Sequence, residues 1–476
     1  MTSPLPSPAR LLEGRRCLIT GGSRNLGRAF CLAFARAGAQ VAFTYSKRTE
    51  DAEETRRLLQ AEGCEPLVFQ GSVTDGTHVA ATVDAVTKAW GGLDVLVNNA
   101  GITQVLNPSI TRAMQEFLAS ESPSYFTSVI SPYAGMLAAR LSARTGGALD
   151  RAFFVSGGSE AIEAALKLAR AATRRPRILC LERGYHGYTM GGVAMMHPGT
   201  YRDAFGPHLP AVDRLPFGDL ATLESALASP DVAAIVVEPI QIEGGVRVLP
   251  PEDVRVLCEE TQRRGVLLVA DEIQTGLGRT GRFLASEAWP RRPDVVVLGK
   301  ALGGGLMPVS AMLTRADIFD RAYGTHPTAE SHASTFSGNA LACVAALAFL
   351  ELLTEDVLQR VRERGAELHR ALREALGGLP LVEEIRGEGL IAGVALRAAD
   401  HPWLTFEYLG MPEYSERSAM GLLACHRLYK VGFLVNVCGH DWSVLRLQPP
   451  LDTGSERLAA FVHACRDAVE YLCQLR

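Results

Sequence analysis

Lys300 closes the run Arg292-Pro-Asp-Val-Val-Val-Leu-Gly-Lys300, and Asp271 closes an earlier apolar run, Leu268-Val-Ala-Asp271, 29 residues before it. An amine and a carboxylate at the ends of two such runs suit pyridoxal phosphate. The amine holds that cofactor as a Schiff base, and the carboxylate faces the pyridine nitrogen so that the ring can accept electrons. Lysine is scarce here, with five (47, 88, 167, 300 and 430) beside 43 arginines. An incidental surface lysine is therefore the weaker explanation of Lys300, and two unrelated loop residues are the plain alternative.

Residues at strand ends need a sheet to hold them. Short apolar runs at 152–155, 178–181, 234–237, 266–270 and 295–298 are expected strands, with helices such as 159–172 and 252–264 between them. A long amphipathic helix is expected at 354–376, followed by a tail of mixed α and β. The first hundred residues show a separate alternation. Strands at 17–20, 41–44, 67–69 and 93–97 are separated by helices at 26–38, 50–62 and 77–90, the pattern of a parallel doubly wound sheet. The two series meet abruptly near 102–107, with no internal repeat and no low-complexity linker.

At 476 residues, 47% hydrophobic and 21% charged, the chain is globular and long enough for two or three domains. A net charge of -4 leaves no electrostatic footprint for nucleic acid, so small molecules are the expected partners. No apolar run reaches the roughly 18 residues that span a bilayer, the longest lying at 341–353. The N-terminus lacks a secretory pattern, and the ten cysteines lack any C-x-x-C pair. Both point to reduced thiols and a cytoplasmic location.

Thr20-Gly21-Gly22-Ser23-Arg24-Asn25-Leu26-Gly27 follows an expected strand and opens a helix, the setting of a phosphate-cradling turn. Together with Asn98-Asn99-Ala100-Gly101 it resembles the short-chain dehydrogenase/reductase family over about 90 residues. The resemblance implies a nucleotide site at Gly21, Ser23, Arg24, Leu26, Gly27, Asn98 and Gly101. Asn25 stands in place of the usual middle glycine and Ser72 in place of a common aspartate. The second strand ends in Tyr45-Ser46-Lys47-Arg48 with no acid for a ribose hydroxyl, so a nucleotide held there would be NADP rather than NAD. The reductases of that family need a tyrosine with a lysine four residues on, and none of the eleven tyrosines has one. The block reads as a truncated, non-catalytic Rossmann unit, a relic, a docking module or a fusion junction.

From Asn107 to Arg476 the chain resembles the class III aminotransferases of pyridoxal phosphate fold type I, with motifs in the family's order. Ser156-Gly157-Gly158-Ser159-Glu160 opens a helix whose N–H groups and Ser159 hydroxyl can take a phosphate. An ordinary capped helix start is the alternative there. Tyr185-His186-Gly187 matches the aromatic position stacked on the pyridine. The resemblance further implies Asp271 at the ring nitrogen, Gln274 at the ring hydroxyl and Lys300 as the Schiff-base lysine. Thr335, in His332-Ala-Ser-Thr335-Phe-Ser-Gly-Asn339, would reach the phosphate of the other subunit, which implies a homodimer with shared sites. Arg446, in Val444-Leu-Arg446-Leu-Gln-Pro-Pro450, would clamp a substrate carboxylate. Glu243, in Val237-Glu238-Pro-Ile-Gln241-Ile-Glu243-Gly-Gly245, would pair with it when the reacting end lacks a carboxylate.

The expected architecture is thus α/β. A partial Rossmann-type parallel sheet (1–105) precedes a fold type I large domain (106–350) and a smaller C-terminal α+β domain (351–476). The expected reaction is transamination between an amine or ω-amino acid and a 2-oxo acid, with 2-oxoglutarate and glutamate as the usual pair. An aminomutase or a decarboxylase would use the same constellation, and a non-catalytic fusion scaffold or a bifunctional reductase and aminotransferase are readings of a different class. Family members carry a further segment before the equivalent of Asn107 that helps wall the substrate site. Here the reductase-like block stands in its place.

Overall fold

A computed structural model describes residues 12–73, 75–97, 107–120, 122, 131–199, 201–398, 406, 414 and 417–474. The chain forms two compact units, one of Met1–Val105 with Lys430–Gly432 and one of Leu106–Tyr429 with Phe433–Arg476.

In the first unit β1 (Arg16–Ile19), β2 (Gln40–Tyr45), β3 (Leu67–Gln70) and β4 (Val95–Val97) form a parallel sheet in the order β3-β2-β1-β4. Alternation along the strands serves both faces. Cys17, Ile19, Val41 and Phe43 pack in one core with Leu59, while Leu18 and Ala42 pack in the other with Val86. Helices Asn25–Arg36, Thr49–Ala61 and Gly76–Trp90 connect the strands, each within about two residues of its expected span.

The second unit is built on a seven-stranded sheet. Its strands are β5 (Arg151–Val155), β6 (Arg177–Leu181), β7 (Val212–Leu215), β8 (Val232–Val237), β11 (Leu267–Asp271), β12 (Val295–Leu298) and β13 (Ser310–Thr314), in the order β5-β13-β12-β11-β8-β6-β7. A short hairpin of β9 (Ile240–Gln241) and β10 (Arg247–Val248) follows β8. All strands of the large sheet are parallel except β13, which runs against both its neighbours. Neither β7 nor β13 was among the expected strands.

All six residues of β8 are buried. Ala234 and Val236 face a core under helix Gly158–Thr173, and Ile235 and Val237 face a core shared with helices Leu220–Leu227 and Pro251–Arg264. Each fully buried Val or Ile contributes roughly 1.5–3 kcal/mol, so the strand is held rigidly and its end can position a functional group. A second sheet, β14 (Val382–Glu388), β15 (Ile391–Leu396), β17 (Val444–Leu447) and β16 (Asn436–Val437), is antiparallel throughout. Helix Glu355–Leu376 lays Leu358, Val361, Leu368, Leu372 and Leu376 along one stripe, and all but Leu358 join the core of this sheet.

Candidate active site

Parallel strands place whatever follows them at one edge of the sheet. Asp271 ends β11, Glu238 follows β8, Tyr185 and His186 lie in the loop after β6, Gly158 and Ser159 follow β5, and Lys300 comes two residues after β12. All seven line one cavity with Gly187, Ile273 and Gln274. Its volume is about 120 Å³, about ten times what a single water needs.

The floor of the cavity is a buried acid–base group. His186 Nδ1 lies 2.8 Å from Asp271 Oδ2, with the two residues 2% and 4% exposed. The Ile273 N–H donates to Asp271 Oδ1 at 3.1 Å, which fixes the carboxylate plane. Burial pulls the His186 pKa down, but the Asp271 hydrogen bond and the charges of Asp271 and Glu238 outweigh it and hold the imidazole above its ordinary value. His186 thus lines the cavity with its ring held on the Asp271 carboxylate. Glu238, 3% exposed, accepts the Tyr185 N–H at 2.9 Å, and burial with the nearby Asp271 raises its pKa well above the carboxylate range. This residue was not among those expected to have a role, although an acid at the end of a wholly apolar strand was a signal in the sequence.

Lys300 lines the cavity and is also exposed to solvent. Crowding by protein atoms still strips water from its ammonium and lowers its pKa, against the opposing pull of Asp271, Glu238 and Glu243. Its backbone is left-handed, at φ 44, a conformation that disfavours side chains. The preceding Gly299 permits the bend, since a Cβ there would lie 2.7 Å from Ser310 Oγ.

After β5, at the same edge of the sheet, the structure differs from the sequence expectation at one residue. Glu160 Oε2 accepts the N–H groups of both Ser156 and Gly157, at 2.9 and 3.0 Å. Gly157 is thus capped by its own helix and does not line the cavity, whereas Gly158 and Ser159, in the first turn of that helix, do. Ser159 Oγ accepts the Tyr188 N–H at 3.3 Å. Thr335 sits exposed in the turn before helix Ala340–Leu352, outside the cavity lining.

Glu243 and Arg446 meet. Arg446, on β17, donates through Nη1 to Glu243 Oε1, and both charges bear on Lys300. In the first unit Gly21 and Gly22 donate their N–H groups to Thr44, at 3.2 Å to Oγ1 and 3.0 Å to the carbonyl. Ser23 is buried and its carbonyl accepts from Arg28 and Thr55. Arg24 is exposed just before the helix that contains Leu26 and Gly27. Asn98 and Gly101 lie outside the described residues.

The family model for class III aminotransferases matches residues 95–469. The chain belongs to the class III aminotransferase family. The model for short-chain dehydrogenases matches residues 15–140. That match runs beyond the expected boundary at 105 and overlaps the first over 95–140. The aminotransferase PigE of a Serratia species is 33% identical over 405 residues, covering 78% of this chain and 48% of its own length. The chain thus spans about half the length of that curated relative. The ornithine aminotransferase of Toxoplasma gondii is 30% identical with a TM-score of 0.69, over 78% of this chain and 84% of that one. An amine transaminase from an uncultivated Pseudomonas species is 29% identical with a TM-score of 0.68, over 77% and 87%.

The cavity suits the pyridoxal phosphate that this family carries. Two residues of a helix start line it and could seat a phosphate, and they share it with a carboxylate fixed by hydrogen bonds and a lysine with a weakened hold on its proton. The seat is shaped tightly. Gly187 has φ +99, and a Cβ there would lie 2.1 Å from Ser159 Oγ. Gly187→Ala should therefore cost about 1–3 kcal/mol in denaturant unfolding. It should also weaken cofactor retention roughly tenfold, about 1.4 kcal/mol, as measured by dialysis and absorbance.

Proposed function

We propose that the chain is a pyridoxal-phosphate-dependent transaminase that moves an amino group between an amine or ω-amino acid and a 2-oxo acid, 2-oxoglutarate and glutamate being the acceptor pair. The Glu243–Arg446 contact carries this reading. With its guanidinium covered by Glu243, the site admits a reacting carbon that bears no carboxylate. When glutamate enters, its carboxylate competes for Arg446 and Glu243 must yield. Relatives named for ornithine and for amines support the same donor class.

Bound pyridoxal phosphate supplies an aldehyde that exchanges amines and a ring that takes up the electron pair of a broken C–H bond. Lys300 Nζ anchors it, and when free accepts the proton from the donor's amine-bearing carbon. Asp271, oriented by His186 and the Ile273 N–H, keeps a proton at the ring-nitrogen end. Gly158, Ser159 and Gln274 hold the phosphate and ring substituents, with Tyr185 as the stacking ring. In a homodimer Thr335 serves the phosphate of the other subunit. Residues 106–350 form the cofactor-binding part, and 351–476 the part that brings Arg446.

Arg446→Ala tests the substrate side. It leaves a desolvated carboxylate unpaired, which should cost about 2–5 kcal/mol in the glutamate half-reaction, at least tenfold. A carboxylate-free amine should lose much less, and cofactor absorbance should persist. Single-turnover absorbance of both half-reactions is the measurement, and equal losses would make Arg446 structural. Product released without any 2-oxo acid would favour a decarboxylase or aminomutase instead.

A further inference from the structure

Glu243 is gripped from three directions, and only one of them is Arg446. It lies in the turn between β9 and β10, opposite the segment that joins β16 to β17. From that segment the Gly439 N–H donates to Glu243 Oε2 at 2.9 Å, and the His440 N–H donates to the Glu243 carbonyl at 2.9 Å. Burial and the neighbouring His197 push the His440 ring down to about 4. The ring is therefore uncharged at neutral pH, and Arg446 is the cation that Glu243 pairs with. The segment is itself anchored by Cys438, buried, whose N–H donates to the Val444 carbonyl at 3.1 Å.

We infer that the consecutive N–H groups of Gly439 and His440 form a latch that holds Glu243 on Arg446, making Gly439 a positioning residue for substrate selection. This rests on the transaminase reading above. A carboxylate held by one arginine alone is released when a competing carboxylate binds that arginine. A carboxylate also held by a main-chain N–H stays until that second bond breaks, and a hydrogen bond to a charged group is worth a measurable share of the selection. The latch thus biases the site against donors with a carboxylate at the reacting carbon, and its strength sets the balance between glutamate and plain amines. The space at 439 is set by what lies opposite. A Cβ built there would sit 3.0 Å from Glu243 Oε2, with no other residue's atoms among its three nearest contacts. Gly439→Ala therefore presses on the carboxylate itself.

The experiment uses the cofactor-loaded enzyme. Gly439→Ala should raise the ratio of kcat/KM for glutamate to that for a carboxylate-free amine about tenfold. It should also tighten binding of glutarate, a dicarboxylate that cannot react, by a similar factor in calorimetry. Neither change should occur when the substitution is made in a Glu243→Ala background, because nothing is left to latch. Glu243→Gln, which keeps the shape and removes the charge, should shift the ratio in the same direction and serves if Gly439→Ala does not fold. An unchanged ratio in both variants, or the same Gly439→Ala effect with and without Glu243, overturns the latch while leaving the transaminase reading intact. Absence of amino transfer to any 2-oxo acid by the unaltered enzyme overturns both.

Discussion

Lys300→Ala is expected to slow amino transfer by about 10³-fold or more, because in the proposed reaction one side chain serves both as the covalent anchor and as the proton carrier. Borohydride reduction followed by intact mass should show a permanently attached cofactor in the unaltered protein and none in the variant. The pH profile carries more detail. Crowding lowers the Lys300 pKa, so the free amine persists to lower pH than for an ordinary lysine, and the acid limb of the rate profile lies correspondingly low. If a small added amine restores turnover in Lys300→Ala, that limb should move up to the pKa of the added amine. Full activity without any lysine at 300 would remove the proposal at its root.

Asp271→Asn should have the next largest effect, a loss of about 10²–10³ in the rate of the half-reactions, because the amide cannot stabilise a proton at the ring nitrogen. It should also alter stability in a pH-dependent way. His186 is held above its ordinary value of 6.5 by Asp271. A raised folded pKa contributes stability that is fully present below the unfolded value and fades as pH rises through the folded one. An uncharged amide at position 271 would leave burial as the dominant influence on the imidazole and disfavour its charge. The variant should therefore be less stable by about 3 kcal/mol near pH 6, with the gap narrowing in alkaline buffer. Urea unfolding across that range reports it. A gap that widened with pH would mean that His186 is not charged beside Asp271.

The placement of much of this site is legible in the sequence, for a simple reason. A parallel sheet delivers the residues after its strands to one edge, so runs ending in Asp271 and Gly299-Lys300 already imply that the two residues share one end of the sheet. Contacts made by the main chain were not legible. The sequence motif assigned a phosphate contact to Gly157, whereas Glu160 folds back over its N–H. Glu238 stood out as an acid after an apolar strand, but its partner, the backbone of Tyr185 53 residues away, is announced by no local pattern. In Gly439 the donor is a peptide N–H, which every residue but proline carries. The strand Ser310–Thr314 went unnoticed because its sequence, SAMLT, has neither the β-branched enrichment nor the alternation of an ordinary strand.

The left-handed backbone at Lys300 has a consequence for anyone engineering this protein for heat resistance. A side chain in that conformation costs on the order of 1 kcal/mol relative to glycine, so a search ranking substitutions by folding energy alone would favour glycine at position 300. Accepting that suggestion would give a more robust protein without the amine on which the proposed reaction depends. On the proposed reading, position 300 is where function holds the chain short of its most stable sequence.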